Sequence, residues 1–266
     1  MTISESEKAT CLPEHQYRFA VLKLVAAIKI QYAERNYGCY GMMMVDRFKD
    51  GDYLRNEKWD VFSVLDGDFS FLDDHSVYDG FVITGSEADA HSEDVPWILR
   101  LCDALKFLHS QKKRLLGICF GHQILARALG GTTGRAPVSV GWEIGLKSIK
   151  IDTNAVADLY GLKDFKSDIL VFEIHRDQVS SLPPGAVVLA SSSKTEIEMF
   201  AIGDGVLGIQ CHPEFSKDLM SDIIVHNLRS NDIITVDMAD EAIRSIKERE
   251  PDQEAIIQLC KKILKG

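Results

Sequence analysis

The chain has 266 residues, of which 45% are hydrophobic and 26% carry a charge. This composition is typical of a globular protein with a sizeable core, and it excludes the disordered and collagen-like classes. The formal net charge of −10 at pH 7 argues against a nucleic-acid-binding surface, which needs clustered Lys and Arg. We therefore expect no nucleic-acid partner.

The N-terminal region is polar and lacks hydrophobic periodicity. It does not resemble a signal peptide, because acidic side chains are spread through it and no apolar core is present. We expect residues 1–17 to form a flexible tail and residues 18–266 to form a single domain. The longest apolar stretch contains Lys23 and Lys29 and is shorter than the roughly 20 residues of a membrane span, so no membrane partner is expected.

Strand-like and helix-like patterns alternate over the first half of the chain. The strand-like segments are residues 19–25, 59–67, 78–86 and 114–119, and the helix-like segments are residues 95–111 and 122–131. This alternation predicts an α/β fold whose central sheet is mostly parallel, with crossover helices on both faces.

The second half of the chain has a different pattern. Short strand-like segments follow one another at residues 145–152, 168–174, 186–192, 197–203 and 205–211. One brief helix near Val156 interrupts them, so we expect a smaller mixed or antiparallel extension of the sheet. The C-terminal region is predicted to be helical, with Ser216 as an N-cap and Pro251 at the start of the last helix.

The six cysteines are scattered along the chain. Their spacing fits neither a dense disulfide framework nor the paired CxxC spacing of a zinc site. We expect reduced thiols, a cytoplasmic location and no metal. Cys102 and Cys260 lie on apolar helical faces and are expected to be small buried hydrophobic residues.

One cysteine lies between two glycines where a strand is followed by a helix, in the run Gly117 to Gly121. This arrangement is typical of a nucleophile elbow, a tight turn that holds the nucleophile in a strained conformation and needs small neighbours. The amides at the start of the helix favour negative charge, which makes the Cys119 thiol reactive and supports an oxyanion. The alternative is a tight turn in which Cys119 only fills space.

A candidate base follows a later strand, where His212 is succeeded by Pro213 and Glu214. Residues two apart in extended chain point to the same side, so Glu214 can hold the imidazole. A cysteine nucleophile needs a base, and that base needs an acceptor that fixes its tautomer. The sequence thus predicts a catalytic triad of Cys119, His212 and Glu214. The alternative, a core histidine, is disfavoured by the acidic neighbour.

Two segments, GICFGHQ at residues 117–123 and CHPE at residues 211–214, resemble the class I glutamine amidotransferase family. The resemblance covers roughly residues 58–216 and implies a flavodoxin-like fold. Within this family the chain is most similar to the plant gamma-glutamyl peptidases. Residues 22–57 match less well, which matters because this region is expected to border the site.

The resemblance also implies roles for further residues. Gly85, Ser86 and the amide of Phe120 are expected to form an oxyanion hole, and Gln123 is expected to help bind the glutamyl group. Many amidotransferases have Gly-Gly-Pro where this chain has Gly85, Ser86 and Glu87.

Three functions are consistent with these residues. The first is a cysteine-nucleophile hydrolase that cleaves the γ-glutamyl amide bond of glutathione-like peptides or glutathione S-conjugates through a γ-glutamyl thioester. The second is the glutaminase subunit of an amidotransferase, which would need a separate synthetase subunit because the chain has no ATP-binding motif. The third is a non-catalytic protein that binds ligand through an intact triad. None of them requires a cofactor.

Two other motifs each have two interpretations. The tripeptide His175-Arg176-Asp177 occurs in kinases, but the chain has no glycine-rich loop and no Asp-Phe-Gly triplet, so it is not a kinase. The resemblance places this tripeptide beside the active site, where it either shapes the pocket or forms a loop held by local hydrogen bonds. Met42, Met43 and Met44 are expected to pack in the core or to form a pliable pocket wall.

Overall fold

The computed structural model describes residues 16–25, 31–50 and 56–266. Its strands are β1 (Tyr17–Lys23), β2 (Glu57–Ser63), β3 (Gly80–Ile83), β4 (Arg114–Ile118), β5 (Thr132–Arg135), β6 (Glu143–Ile151), β7 (Asp168–His175), β8 (Asp177–Ser181), β9 (Val187–Ser191), β10 (Met199–Ile202) and β11 (Val206–Ile209). Most of the predicted tail, residues 1–15, lies outside the described residues.

The described α-helices are α1 (Gln31–Tyr37), α2 (Tyr40–Phe48), α3 (Pro96–Ser110), α4 (Phe120–Ala128), α5 (Thr153–Tyr160), α6 (Lys217–Asp222), α7 (Val236–Glu248) and α8 (Gln253–Lys265). Three short 3-10 helices follow β2, and a π-helix, Ile223–Arg229, continues α6. No helix in the described part of the chain is long and apolar enough to cross a membrane.

Nine strands form one sheet in the order β2-β1-β3-β4-β11-β10-β9-β6-β7. The first five are parallel to their neighbours, and from β11 onward each adjacent pair is antiparallel. The predicted mostly parallel sheet with an antiparallel extension is therefore confirmed. Strands β5 and β8 pair separately as a two-stranded ribbon, which no sequence pattern predicted.

The sheet has a hydrophobic core on each face. In β1 the side chains alternate, so that Phe19 and Val21 join one core while Ala20 and Leu22 join the other. Helices α3 and α4 cover the second core, and α2 and α5 to α8 cover the first. Both faces of β3 and β4 are therefore buried, which explains their nearly continuous apolar sequences.

The helix ends follow the predicted signals with one shift. Pro96 is the first residue of α3, and the Ser216 side chain accepts a hydrogen bond from the Leu219 amide at the start of α6. The last helix begins at Gln253, two residues after Pro251, because Pro251 remains in the connection and Asp252 occupies the N-cap.

Helices α1 and α2 were not predicted. Within α2, Met43 and Met44 are buried in the core and Met42 is 44% exposed, so the methionine run is mainly a packing element.

Candidate active site

The predicted elbow is the sharp connection between β4 and α4. Cys119 has φ 53° and ψ −105°, a region that residues other than glycine rarely adopt and that costs about 1–3 kcal/mol. Its amide donates to the Ile209 carbonyl of β11, 2.8 Å away, and its carbonyl accepts from the Gln123 amide of α4 at 3.1 Å. The flanking elements thus hold the strained residue in place.

The two glycines of the elbow are required by close backbone contacts. A Cβ atom on Gly117 would lie 2.4 Å from the Gly121 carbonyl oxygen. A Cβ atom on Gly121 would lie 2.1 Å from the carbonyl oxygen of Ile83, at the end of β3. Both distances are far below van der Waals contact, so the small residues of the motif are needed for β3, β4 and α4 to pack together.

The predicted base and its acceptor lie just beyond β11. Nδ1 of His212 is 2.7 Å from Oε1 of Glu214, and the imidazole stacks on the ring of Phe215 at a centroid distance of 4.3 Å. The His212 amide donates to the Phe172 carbonyl at 2.9 Å. With Nδ1 engaged by Glu214, Nε2 is the nitrogen available to act as the base.

The surroundings of His212 favour its protonated form. Burial lowers the pKa of His212, but the negative charge of Glu214 and the interaction with Cys119 outweigh burial and raise the pKa to about 10. Nε2 has no hydrogen-bond partner among the described residues. The His212 imidazolium can therefore act as a proton donor to a neighbouring group.

The predicted oxyanion-hole residues lie beside these groups. A Cβ atom on Gly85 would be 3.2 Å from Cε1 of His212 and 3.8 Å from Cβ of Cys119, so the backbone after β3 runs alongside both. Ser86 lines the same cavity. Phe120 supplies the first amide of α4, while its ring packs against Trp97 at a centroid distance of 5.6 Å. The oxyanion roles of Gly85, Ser86 and Phe120 stay predictions.

Gln123 lines the cavity, but its side-chain nitrogen is already engaged. Nε2 donates to the Asp177 carbonyl at 2.8 Å and to Oε1 of Gln210 at 3.1 Å. A contact of Gln123 with a glutamyl group, which stays a prediction, would therefore use Oε1, because both amide protons have acceptors.

Both interpretations of the His175-Arg176-Asp177 tripeptide have supporting contacts. Local hydrogen bonds are present, since Nδ1 of His175 lies 3.0 Å from the Asp177 carbonyl oxygen. The Asp177 carboxylate is 2.8 Å from Nε of Arg135. All three residues also line the cavity, and Arg176 lies over the Trp142 ring with Cζ 5.3 Å from the centroid. The tripeptide is thus a pocket wall held by local contacts.

A cavity of about 1350 Å³ opens beside Cys119. This volume exceeds the roughly 300–1000 Å³ that is usual for small-molecule sites. Its walls extend from the elbow to the C-terminal helical region and include Arg35, Trp142, Arg176, Leu228 and Ile233. A ligand much larger than one amino acid can therefore reach the thiol.

Two residues of α2, neither of them predicted from the sequence, contact Glu214. The Tyr40 hydroxyl donates to Oε1 of Glu214 at 2.5 Å, and Nη2 of Arg47 donates to the Glu214 carbonyl at 3.2 Å. Both come from the segment that matches the family less well. The only sequence signal is a tyrosine at the start of an apolar helical pattern, which more often marks a core residue.

A buried cluster, formed by Glu143, Glu173 and Glu198 around His175 of the tripeptide, was also not predicted. Possible ligand atoms of Glu173, His175 and Glu198 lie within 4.8 Å of one another. Burial raises the pKa of Glu198 to about 8 and that of Glu173 well above its usual range. Burial thus favours the neutral form of the Glu173 and Glu198 carboxyl groups.

The fold and site define a class of protein, the α/β proteins that carry a cysteine on a nucleophile elbow next to a His-Glu pair. The chain belongs to the glutamine amidotransferase class-I family, whose model matches residues 68–229.

The chain is also similar to named plant proteins over nearly its whole length. It is 41% identical to gamma-glutamyl peptidase 5 of Arabidopsis thaliana, over 94% of this chain and 96% of that protein. It is 37% identical to gamma-glutamyl peptidase 3 of the same plant, over 95% and 98% of the two chains. A glutamine amidotransferase of Thermotoga maritima has the same fold, with a TM-score of 0.69, 22% identity and coverage of 95% of this chain and 100% of the other.

Proposed function

We propose that the protein is a cysteine-type hydrolase that cleaves the γ-glutamyl amide bond of glutathione-like peptides or glutathione S-conjugates. The similarity to Arabidopsis proteins named gamma-glutamyl peptidases supports γ-glutamyl hydrolysis. The observation that carries the choice of a peptide over glutamine is the cavity of about 1350 Å³ beside Cys119.

In the first half of the proposed reaction, the Cys119 thiolate attacks the carbonyl carbon of the γ-glutamyl amide. The carbonyl oxygen becomes an oxyanion, which backbone amides near Gly85 and Phe120 stabilise. The tetrahedral intermediate collapses as the His212 imidazolium gives its Nε2 proton to the departing nitrogen. The amine leaves, and the γ-glutamyl group remains on Sγ as a thioester.

In the second half, neutral His212 removes a proton from water, and the resulting hydroxide adds to the thioester carbonyl. Collapse of this intermediate expels the Cys119 thiolate and releases glutamate, so the starting ion pair is restored. Glu214 accepts a hydrogen bond from Nδ1 throughout, which keeps Nε2 directed at the reacting atoms. The net reaction is the addition of water across one amide bond.

The leaving group is where a peptidase and a glutaminase differ. Both form the same thioester, so contacts with the glutamyl half help both substrates equally. Discrimination must come from contacts that only the departing peptide makes, and a well-matched cleft supplies about 1–3 kcal/mol, or a ten- to hundredfold preference. We therefore expect kcat/KM for a γ-glutamyl peptide to exceed that for glutamine.

The second candidate function is the glutaminase subunit of an amidotransferase. The family model and the fold of the Thermotoga maritima protein favour it, because both carry the name glutamine amidotransferase. This function needs a synthetase partner that receives ammonia, whereas the first needs none.

The test is to incubate the purified protein with glutamine, glutathione and a glutathione S-conjugate, and to measure released glutamate. The expected result is faster release from the two peptides, with none from a Cys119→Ala control. Faster release from glutamine, with a further increase when a synthetase is added, would instead support the glutaminase function.

A cytoplasmic location is also part of the proposal. It rests on the cysteine spacing and is supported by the free thiols of the described cysteines, Cys39, Cys102, Cys119, Cys211 and Cys260. Independence from cofactors and the absence of a nucleic-acid partner stay predictions.

A further inference from the structure

One oxygen of Glu214 accepts two hydrogen bonds. Nδ1 of His212 is 2.7 Å from Oε1, and the Tyr40 hydroxyl is 2.5 Å from the same atom. Tyr40 is 4% exposed, and burial followed by the charge of Glu214 raises its pKa well above the usual value. The phenol therefore keeps its proton and is the donor in this bond. The other oxygen, Oε2, has no hydrogen-bond partner among the described residues.

Helix α2 holds Tyr40 firmly against the sheet. A Cβ atom on Gly41 would lie 2.4 Å from Cγ1 of Val61 in β2, so the helix approaches the strand as closely as glycine permits. Met44 and Phe48 are fully buried on the same helix. Arg47 adds a second link, from its guanidinium to the Glu214 carbonyl. The tyrosine is thus a fixed donor.

We propose that Tyr40 is a positioning residue of the reaction, which fixes the Glu214 carboxylate and through it sets the orientation and acidity of His212. The proposal deepens the proposed function and rests on it, because it concerns the same triad. Tyr40 and Glu214 are 174 residues apart in the chain, and their contact depends on the packing of α2 against β1, β2 and α8.

The physical reason is that two hydrogen bonds share one oxygen of Glu214, Oε1. Two donors fill both lone pairs of Oε1, so the carboxylate cannot rotate without losing one of the hydrogen bonds. The Tyr40 hydroxyl also withdraws part of the negative charge that stabilises the His212 imidazolium. Without that hydroxyl the ion pair between His212 and Glu214 becomes stronger, and the imidazolium gives up its proton less readily to the leaving nitrogen.

The variant Tyr40→Phe tests this role, and Tyr78→Phe is a matched control. Tyr78 is also buried, and its hydroxyl donates to a carboxylate, Asp60, at 2.9 Å. For Tyr40→Phe we expect kcat on glutathione to fall at least about tenfold while KM changes less than about twofold. In the resting protein, the NMR titration midpoint of His212 should rise by about 0.5 pH unit. The control should show neither change.

A second measurement makes the opposite change at the same position. Incorporation of 3,5-difluorotyrosine at position 40 makes the hydroxyl a stronger donor, so the His212 midpoint should move down. Opposite shifts in the two proteins support the proposal, whereas equal midpoints overturn it, even if kcat falls. The titration needs no substrate. Failure of wild-type protein to release glutamate from glutathione therefore counts against the proposed function, while the midpoints still decide the role of Tyr40.

Discussion

In the proposed reaction, the two sides of the scissile bond meet different parts of the molecule. On the acyl side, Cys119, His212 and Glu214 follow the adjacent parallel strands β4 and β11, and each is at most 7% exposed. On the leaving-group side, exposed residues of helices and loops line the cavity, among them Arg35 and Arg176. In the proposed reaction the buried sheet therefore fixes the chemistry, whereas the exposed cavity wall sets the selectivity for the leaving group. Substitutions on the acyl side should have the larger effects.

The largest effect is expected for Cys119→Ala. Removing the nucleophile should lower turnover of every γ-glutamyl substrate at least about 10³-fold, because both halves of the reaction use Sγ. Circular dichroism should be unchanged. The control Cys102→Ala, in α3, should keep its activity. A Cys119→Ala protein that retains more than a few per cent of wild-type activity would exclude Cys119 as the nucleophile.

The next largest effect is expected for Glu214→Gln, which removes the charge but keeps the size of the side chain. We expect turnover to fall about 10²-fold or more, because the amide carries no negative charge to stabilise the His212 imidazolium and its NH2 group can turn toward Nδ1. The pKa of His212, about 10 with the carboxylate present, should fall toward its usual value of 6.5. The alkaline limb of the kcat/KM profile should therefore move to lower pH. An unchanged limb would show that another group titrates there.

Arg176→Ala tests the leaving-group side and should have a moderate effect. Arg176 is exposed in the cavity wall, and no acidic side chain among the described residues pairs with it. It can therefore bind the terminal carboxylate of a departing peptide. We expect kcat/KM to fall about tenfold for glutathione and little for glutamine. Glutathione with an amidated glycine is the control substrate, and an equal loss with it would rule out this contact.

The smallest effect is expected from Glu198→Gln, which changes stability rather than turnover. Burial raises the pKa of Glu198 to about 8 from an ordinary value of 4.5. Between these values the unfolded chain has released the proton and the folded protein has kept it, so stability falls as pH rises. Urea unfolding should show that this slope is shallower in the variant between about pH 5 and 8, with Glu173 supplying the part that remains. The exposed Glu196→Gln is the control, and parallel curves for wild type and Glu198→Gln would contradict the raised pKa.

Local motifs predicted the parts of the site that are close in the chain. The elbow is a strand, a turn and a helix within a few residues, so the glycines around Cys119 predict its backbone geometry. The spacing of His212 and Glu214 similarly predicts their contact, and in the structure Nδ1 of His212 lies 2.7 Å from Oε1 of Glu214. The alternation of strand and helix predicted the parallel sheet. Short-range geometry and hydrophobic periodicity are encoded in consecutive residues, so sequence alone determined them.

The tertiary structure decided what depends on distant segments. Pairing of β4 with β11 places the elbow beside His212, and the packing of α2 brings Tyr40 to Glu214 across 174 residues. The buried carboxyl groups around His175 likewise come from separate parts of the chain: Glu143 from β6, Glu173 from β7 and Glu198 from the segment before β10. No local pattern encodes these contacts, because a tyrosine on an apolar helical face or a glutamate in a strand looks the same whether it faces a core or a catalytic carboxylate.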